Sequence, residues 1–451
     1  MPKYSLKQKE RTIINKIDAL QNRVPFIVIF IAGMIGIVTG FVGTLFQYAV
    51  SWVSTSRIEL SLSLFGDHNA TYIWSFFIAA LMGVFAYYLV QRFSPESSGS
   101  GIPEIEGALI DMRPVRWLHV LPVKFFGGLG ALGSGMVLGR EGPTVQMGAN
   151  LGQLLGKLFK VENKDNKHTF LATGAAAGIT TAFNAPLAGI LFVIEEMREE
   201  FNYSLSSIKA IFIGVIGACV VYRLMVSTAP IFNFSIYAAV PLNSLWLYFI
   251  FGAIIAVLGA ISNRSILTLR DKLKSFYQLK SYYFLLVGGL LAGTFGLLSL
   301  YFPAVAGSGF EIIPNVIDQL YGLWPLFIIL VIRLIATILC FSSGAPGGIF
   351  SPTLALGAII GVLFGLAMQS IFPAYQIELG ACAIIGMAGL FSATIRAPLT
   401  GIVLIMEMTG NYLLILPLII TCLAATFVAQ SLGQKPLYTA ILDKLIQRDS
   451  K

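Results

Sequence analysis

A carboxylate set among glycines, in Gly139-Arg140-Glu141-Gly142-Pro143, is the segment of this chain best built for chemistry. The glycines allow a tight turn, and Pro143 suits the first turn of a helix that follows. The first amides of that helix, from Gly142 onward, then lack intrahelical acceptors, so an anion can sit ahead of them beside Arg140. Glu141 brings a negative charge of its own to the same space. Two similar constructions are Gly99-Ser100-Gly101-Ile102-Pro103 and Gly347-Gly348-Ile349-Phe350-Ser351-Pro352. Each joins a flexible turn to a proline at a helix start, presenting backbone N–H groups and the positive end of a helix dipole. Taken singly, each also reads as an ordinary helix-breaking turn.

Their arrangement along the chain argues for more than turns. GSG at Gly99 returns at Gly307, PTVQMGA at Pro143 returns as PTLALGA at Pro352, and NAPLAGILFVIE at Asn184 returns as RAPLTGIVLIME at Arg396. These separations of 208, 209 and 212 residues keep one order and nearly one displacement. Apolar segments broken by Gly and Pro at matching places in two halves point to a transporter site between pseudo-symmetric repeats. A shift of 209 sets Arg140 opposite Ile349 and Glu141 opposite Phe350, so the symmetry breaks at the acid. One half then supplies backbone donors and the other a carboxylate that can take an anion's place. Protonation would release it.

Composition sets the medium for those elements. Hydrophobic residues make up 56% of the 451 and charged residues 12%, a balance of the membrane class. Residues 26–54 and 72–91 carry no charge and are predicted to span a bilayer. The runs 170–194 and 380–410 are interrupted by Gly, Ala and Pro, and irregular backbone at that depth survives only where protein or water covers it. Lys3, Lys7, Lys9, Arg11, Lys16 and Arg23 precede the first span, which is too long for a signal-peptide core, so the segment is expected to be retained. By the positive-inside rule this segment, the basic stretch 264–280 and the tail after Asp443 are cytoplasmic, giving an even number of crossings. The net charge of +8 arises from these flanks, with no basic stripe interleaved with aromatics, which excludes nucleic-acid binding. Cys219, Cys340, Cys382 and Cys422 are far apart and read as packing, while His68, His119 and His168 are isolated, so neither a metal nor a His-paired nucleophile is expected. With no phosphate-binding loop, ATP is not the driver, and no cofactor is expected.

Several charges inside apolar sequence need a partner, a proton or a role. Glu104 and Glu106 point different ways on a helix and read as structural. Lys124, Arg333 and Arg396 read either as their partners or as sources of positive potential. Glu407 reads as a capping or internally hydrogen-bonded group, and Glu195 and Glu196 before Arg198 as the charged end of an apolar helix.

GSGIPEIEG, GREGPTVQMGA, GAPGGIFSP and the late KPLYTAIL resemble the signature segments of the CLC family of chloride channels and chloride/proton exchangers, over about residues 20 to 445. The wording is nearest to the bacterial exchangers. The resemblance implies an all-α polytopic membrane protein with two inverted-topology repeats of tilted and partly embedded helices. It also implies a homodimer in lipid, one pathway per subunit, placed in the bacterial inner membrane. Ser100 matches the serine and Tyr438 the tyrosine that coordinate chloride, and Ile349 and Phe350 match the pair donating backbone N–H groups to the central ion. Glu141 matches the gating glutamate and Glu196 the internal proton-transfer glutamate; an acid at Glu196 favours exchange over conduction, and serine at 100 favours chloride over nitrate. The anion-binding set is then Ser100, Ile349, Phe350, Tyr438, Arg140 and Gly142.

The resulting expectation is a non-enzymatic antiporter of chloride and protons, with a passive voltage- or pH-gated chloride channel of the same fold as the alternative. Its domains are an N-terminal cytoplasmic segment, 1–24, one transport domain, 25–445, and a cytoplasmic tail, 446–451. The repeats cover about 26–202 and 245–433, and no cytoplasmic regulatory domain is expected. An intramembrane hydrolase using Ser134 and His119 explains neither the repeat nor the Gly-Pro turns.

Overall fold

A computed structural model describes residues 26–63, 68–197 and 204–449. The basic N-terminal segment and Arg198 lie outside the described residues. Among those described, the chain is helical, and its only β-type pairing is an isolated bridge between Gly139 and Gly348.

Eight helices come first: α1 (Phe26–Ser63), α2 (His68–Phe93), α3 (Ile102–Leu109), α4 (Trp117–Gly133), α5 (Glu141–Leu158), α6 (Lys164–Phe183), α7 (Pro186–Glu196) and α8 (Leu205–Met225). Eight more repeat their order of long, short and broken elements: α9 (Leu245–Leu279), α10 (Tyr282–Tyr301), α11 (Ile312–Ile317), α12 (Leu323–Ser342), α13 (Phe350–Ile371), α14 (Leu379–Ile395), α15 (Pro398–Thr409) and α16 (Ile415–Ser431). A last helix, α17 (Leu437–Asp449), follows. Eight helices among the described residues are long and apolar enough to cross a membrane, including Phe26–Ser63 and Thr71–Phe93 over the two uncharged stretches. This is a multi-pass integral membrane protein. At 1.5 Å per residue, the 38 residues of α1 extend about 57 Å, well beyond a ~30 Å hydrocarbon core, so α1 must tilt or overhang.

The predicted interruptions fall where left-handed backbone meets proline. Asn184, at φ 49°, ends α6, and Pro186 then opens α7. Its repeat-mate Arg396, at φ 71°, ends α14 before Pro398 opens α15. Such a residue stops a helix by turning the chain, and proline at N1 starts the next without losing a needed donor.

The middle of the molecule is built from α5, α6, α13 and α14. Every residue of α14 is buried, and α6 is buried from Thr169 onward. Their small residues let backbones touch: a Cβ on Gly148 would collide with the Gly174 carbonyl, and one on Gly357 with the Gly386 carbonyl. The two contacts are repeat-related, as expected where packing of small residues associates helices in lipid. Around them, large apolar side chains face outward, among them Phe26, Leu224 and Trp324. All four cysteines are buried and free, in keeping with packing.

Candidate anion pathway

Where the halves meet, Gly139 and Gly348 exchange a reciprocal pair of backbone hydrogen bonds, N–H to O=C, of 2.8 Å in one direction and 2.6 Å in the other. They are 209 residues apart, so each is the other's repeat-mate. Reciprocal bonding of equivalent residues puts this pair on the pseudo-two-fold axis.

Helices α5 and α13 both begin at this bridge. Glu141 is the first residue of α5 and is completely buried. Its carboxylate lies against the bridge: a Cβ on Gly348 would come 3.2 Å from Oε2, and one on Gly139 would strike the carboxylate itself. The Ser351 hydroxyl, on the first turn of α13, donates to Oε1, while Oε2 is buried with no hydrogen-bond partner among the described residues. Ile349 and Phe350 stand at the start of α13, and their amides bond no backbone carbonyl among the described residues. Both are buried.

The Ser100 turn reaches the same place from another direction. Gly99 and Gly101 adopt φ of 70° and 84°, which favours glycine. The buried ammonium of Lys124 holds the turn by donating to Ser97 O at 3.0 Å and Gly99 O at 2.6 Å. Ser100 is buried and touches the start of α5 so closely that a Cβ on Gly142 would come 2.8 Å from its Cα, Cβ and O. Tyr438, on α17, is fully buried; its hydroxyl faces Ser100, with Glu196, Glu141 and Glu106 in electrostatic range. By distance and angle that oxygen has no hydrogen-bond partner among the described residues. Its ring lies 5.9 Å from that of Phe350, which also meets Phe183, Phe192 and Phe391.

The structure thus brings Ser100, Glu141, Gly142, Ile349, Phe350 and Tyr438 together at one buried junction. It holds backbone donors, one hydroxyl with no acceptor among the described residues and one carboxylate. Such a site can dehydrate a small anion, or be filled by Glu141 in the anion's stead. Glu196 is half-buried on α7, one turn beyond Phe192, whose ring is 5.7 Å from that of Phe350. Arg140 turns away from the centre and places its guanidinium over the Phe310 ring, 5.0 Å from the centroid.

Sequence reasoning missed Ser351 as the partner of Glu141. The available signal was its place between Phe350 and Pro352, the residue that a shift of 209 sets opposite Gly142. Lys124 and Arg333, also 209 apart, prove to be clamps on backbone: Arg333 donates to Ala304 O, Ala306 O and Gly307 O. Glu104 forms an ion pair with Arg113 at 2.7 Å, as a structural reading requires. The hydrolase alternative finds no support, since the buried Ser134 hydroxyl donates to Ala131 O and His119 is exposed. No group of three potential metal ligands occurs among the described residues.

A family model described as voltage gated chloride channel matches residues 82–430. The chain belongs to the CLC family. This CLC protein is 50% identical over 430 residues to the H(+)/Cl(-) exchange transporter ClcA of Salmonella typhimurium, covering 95% of this chain and 90% of the relative. It superposes on the crystal structure of a slow cyanobacterial Cl-/H+ antiporter with a TM-score of 0.90 and 36% identity, covering 94% of this chain and 99% of the other. A eukaryotic CLC transporter shares the fold, with a TM-score of 0.78 and 23% identity over 93% of this chain and 74% of the other. The CLC architecture of two inverted repeats accounts for the reciprocal bonds at Gly139 and Gly348.

Proposed function

We propose that this CLC protein is a secondary active antiporter that exchanges chloride for protons. The observation that carries the reading is the buried Glu141 carboxylate at the junction of the repeats, beside helix-start amides that suit an anion. The names of its relatives, H(+)/Cl(-) exchange transporter and Cl-/H+ antiporter, support it.

In this reading Glu141 is the gate. Ionised, it takes the anion's position; protonated, it withdraws, and chloride occupies the space between the Ile349 and Phe350 amides and the hydroxyls of Ser100 and Tyr438. Gly142 lets the backbone of α5 approach, and Arg140 adds positive potential on the far side. Glu196 exchanges protons with the opposite compartment. A carboxylate that competes with chloride for one seat links the two fluxes, because the proton must arrive for the anion to move.

Each chain holds a full set of these residues, which supports one pathway per subunit of a homodimer in lipid. The proposed transport domain is 25–445, with repeats at about 26–202 and 245–433. Placement in a bacterial inner membrane with both termini cytoplasmic rests on the charge of the flanks. A passive channel of the same fold is the alternative. The two separate in reconstituted membranes, where an exchanger's reversal potential moves with pH at fixed chloride and a channel's does not.

A further inference from the structure

The Ser100 turn has a repeat-mate for which the proposed exchange cycle has no use. Gly307-Ser308-Gly309 repeats its geometry, with φ of 67° and 99° at the two glycines. Ser308 Oγ accepts the Phe310 N–H at 3.4 Å, as Ser100 Oγ accepts the Ile102 N–H at 3.2 Å. The docking is mirrored to within one residue. Gly307 N–H donates to Gly135 O at 2.9 Å, while Gly99 N–H donates to Ala345 O at 3.1 Å. Arg333 grips the second turn as Lys124 grips the first. Inverted repeats put such mates at opposite faces of the membrane.

A cavity of about 280 Å³ opens at the second turn, lined by Gln47, Arg57, Arg140, Ser308, Glu311 and Arg333 among others. Three arginines and one glutamate thus line it. None of the three forms an ion pair among the described residues. Arg57 directs its donors to Gly133 O, Gly296 O, Ser75 and Ser299, so its charge is left without a counter-ion. The buried Nε–H groups of Arg140 and Arg333 have no acceptor among the described residues, an expensive condition for a charged donor that an anion would relieve. Arg140 lies over the ring of Phe310, whose own amide bonds Ser308, and it directly precedes Glu141 in the chain.

We infer that Ser308 and Arg140 form an outer station for a halide, where chloride is held before it meets Glu141. This rests on the exchange reading above and adds a binding step at the face opposite Ser100. The Ser308 hydroxyl, which accepts from Phe310, still has its proton to give to the ion.

The test uses crystals of the full chain soaked in bromide, together with sided flux in proteoliposomes. Anomalous density beside Ser308 and Arg140 in the wild type is the expected result. In Ser308→Ala the density disappears, and the apparent KM for chloride supplied from the Ser308 face rises severalfold while that from the Ser100 face stays unchanged. If wild-type crystals hold bromide at Ser100 and Tyr438 but none at Ser308, the outer station is overturned and the central pathway still stands. An equal rise in KM from both faces overturns it as well. Failure of the exchange reading would show separately, as wild-type vesicles in which chloride moves with no coupled proton movement.

Discussion

Glu195 and Glu407 hold the N-termini of each other's helices. The Glu195 carboxylate, on α7, accepts the Leu399 and Thr400 N–H groups of α15 at 3.0 and 2.8 Å. Glu407, on α15, accepts the Leu187 and Ala188 N–H groups of α7 at 3.0 and 2.9 Å. All three pairs of equivalents are 212 residues apart, so the exchange obeys the same two-fold axis as the Gly139–Gly348 bridge. Carboxylates here satisfy helix-start amides and sit at the favourable end of the dipole.

Because the two caps are equivalent, Glu195→Ala and Glu407→Ala should each lower stability by about 1–2 kcal/mol, with proton coupling intact in the molecules that remain folded. Thermal unfolding in detergent, read beside the proton-to-chloride flux ratio, checks this. A variant that keeps its melting temperature and loses coupling would move that glutamate from cap to proton carrier.

Gly348→Ala tests the tightness of the junction. The added Cβ would lie 2.8 Å from Gly142 N, 3.1 Å from Gly139 O and 3.2 Å from Glu141 Oε2. Overpacking of this kind costs about 1–3 kcal/mol, and displacing the seat of Glu141 by a comparable energy should slow chloride flux about tenfold. Flux equal to wild type would mean that the bridge is remote from the route.

Much of this was legible because the repeat is written in residues that fix backbone. Glycine and proline gave the breaks at Asn184 and Arg396, and uncharged runs gave the first two spans. The carboxylate–amide junction could be read because Glu141 stands where its repeat-mate is Phe350. What the sequence hid depends on approach between distant segments. Ser351 reaches Glu141 only because both helices start at one bridge, and a serine before a proline carries no mark of that. In the sequence Glu195 reads as part of the charged end of an apolar helix, and Glu407 as a capping or internally hydrogen-bonded group. The fold makes both caps, since a two-fold axis that serves one must serve the other.

Replacing Glu196 separates proton delivery from chloride binding. Glu196→Gln keeps the side chain's size and removes its titration, so chloride binding should remain within about a factor of three of wild type while coupled proton movement is lost. Isothermal titration with chloride, paired with proton flux, is the readout. Unchanged coupling would return Glu196 to the charged end of an apolar helix.

The central claim is that the Glu141 side chain and chloride compete for one buried seat, and proteoliposomes loaded with chloride test it most directly. Wild-type protein should drive protons uphill as chloride leaves, and Glu141→Ala should let chloride leave with no proton movement above background. Continued uphill proton movement in Glu141→Ala would contradict the claim.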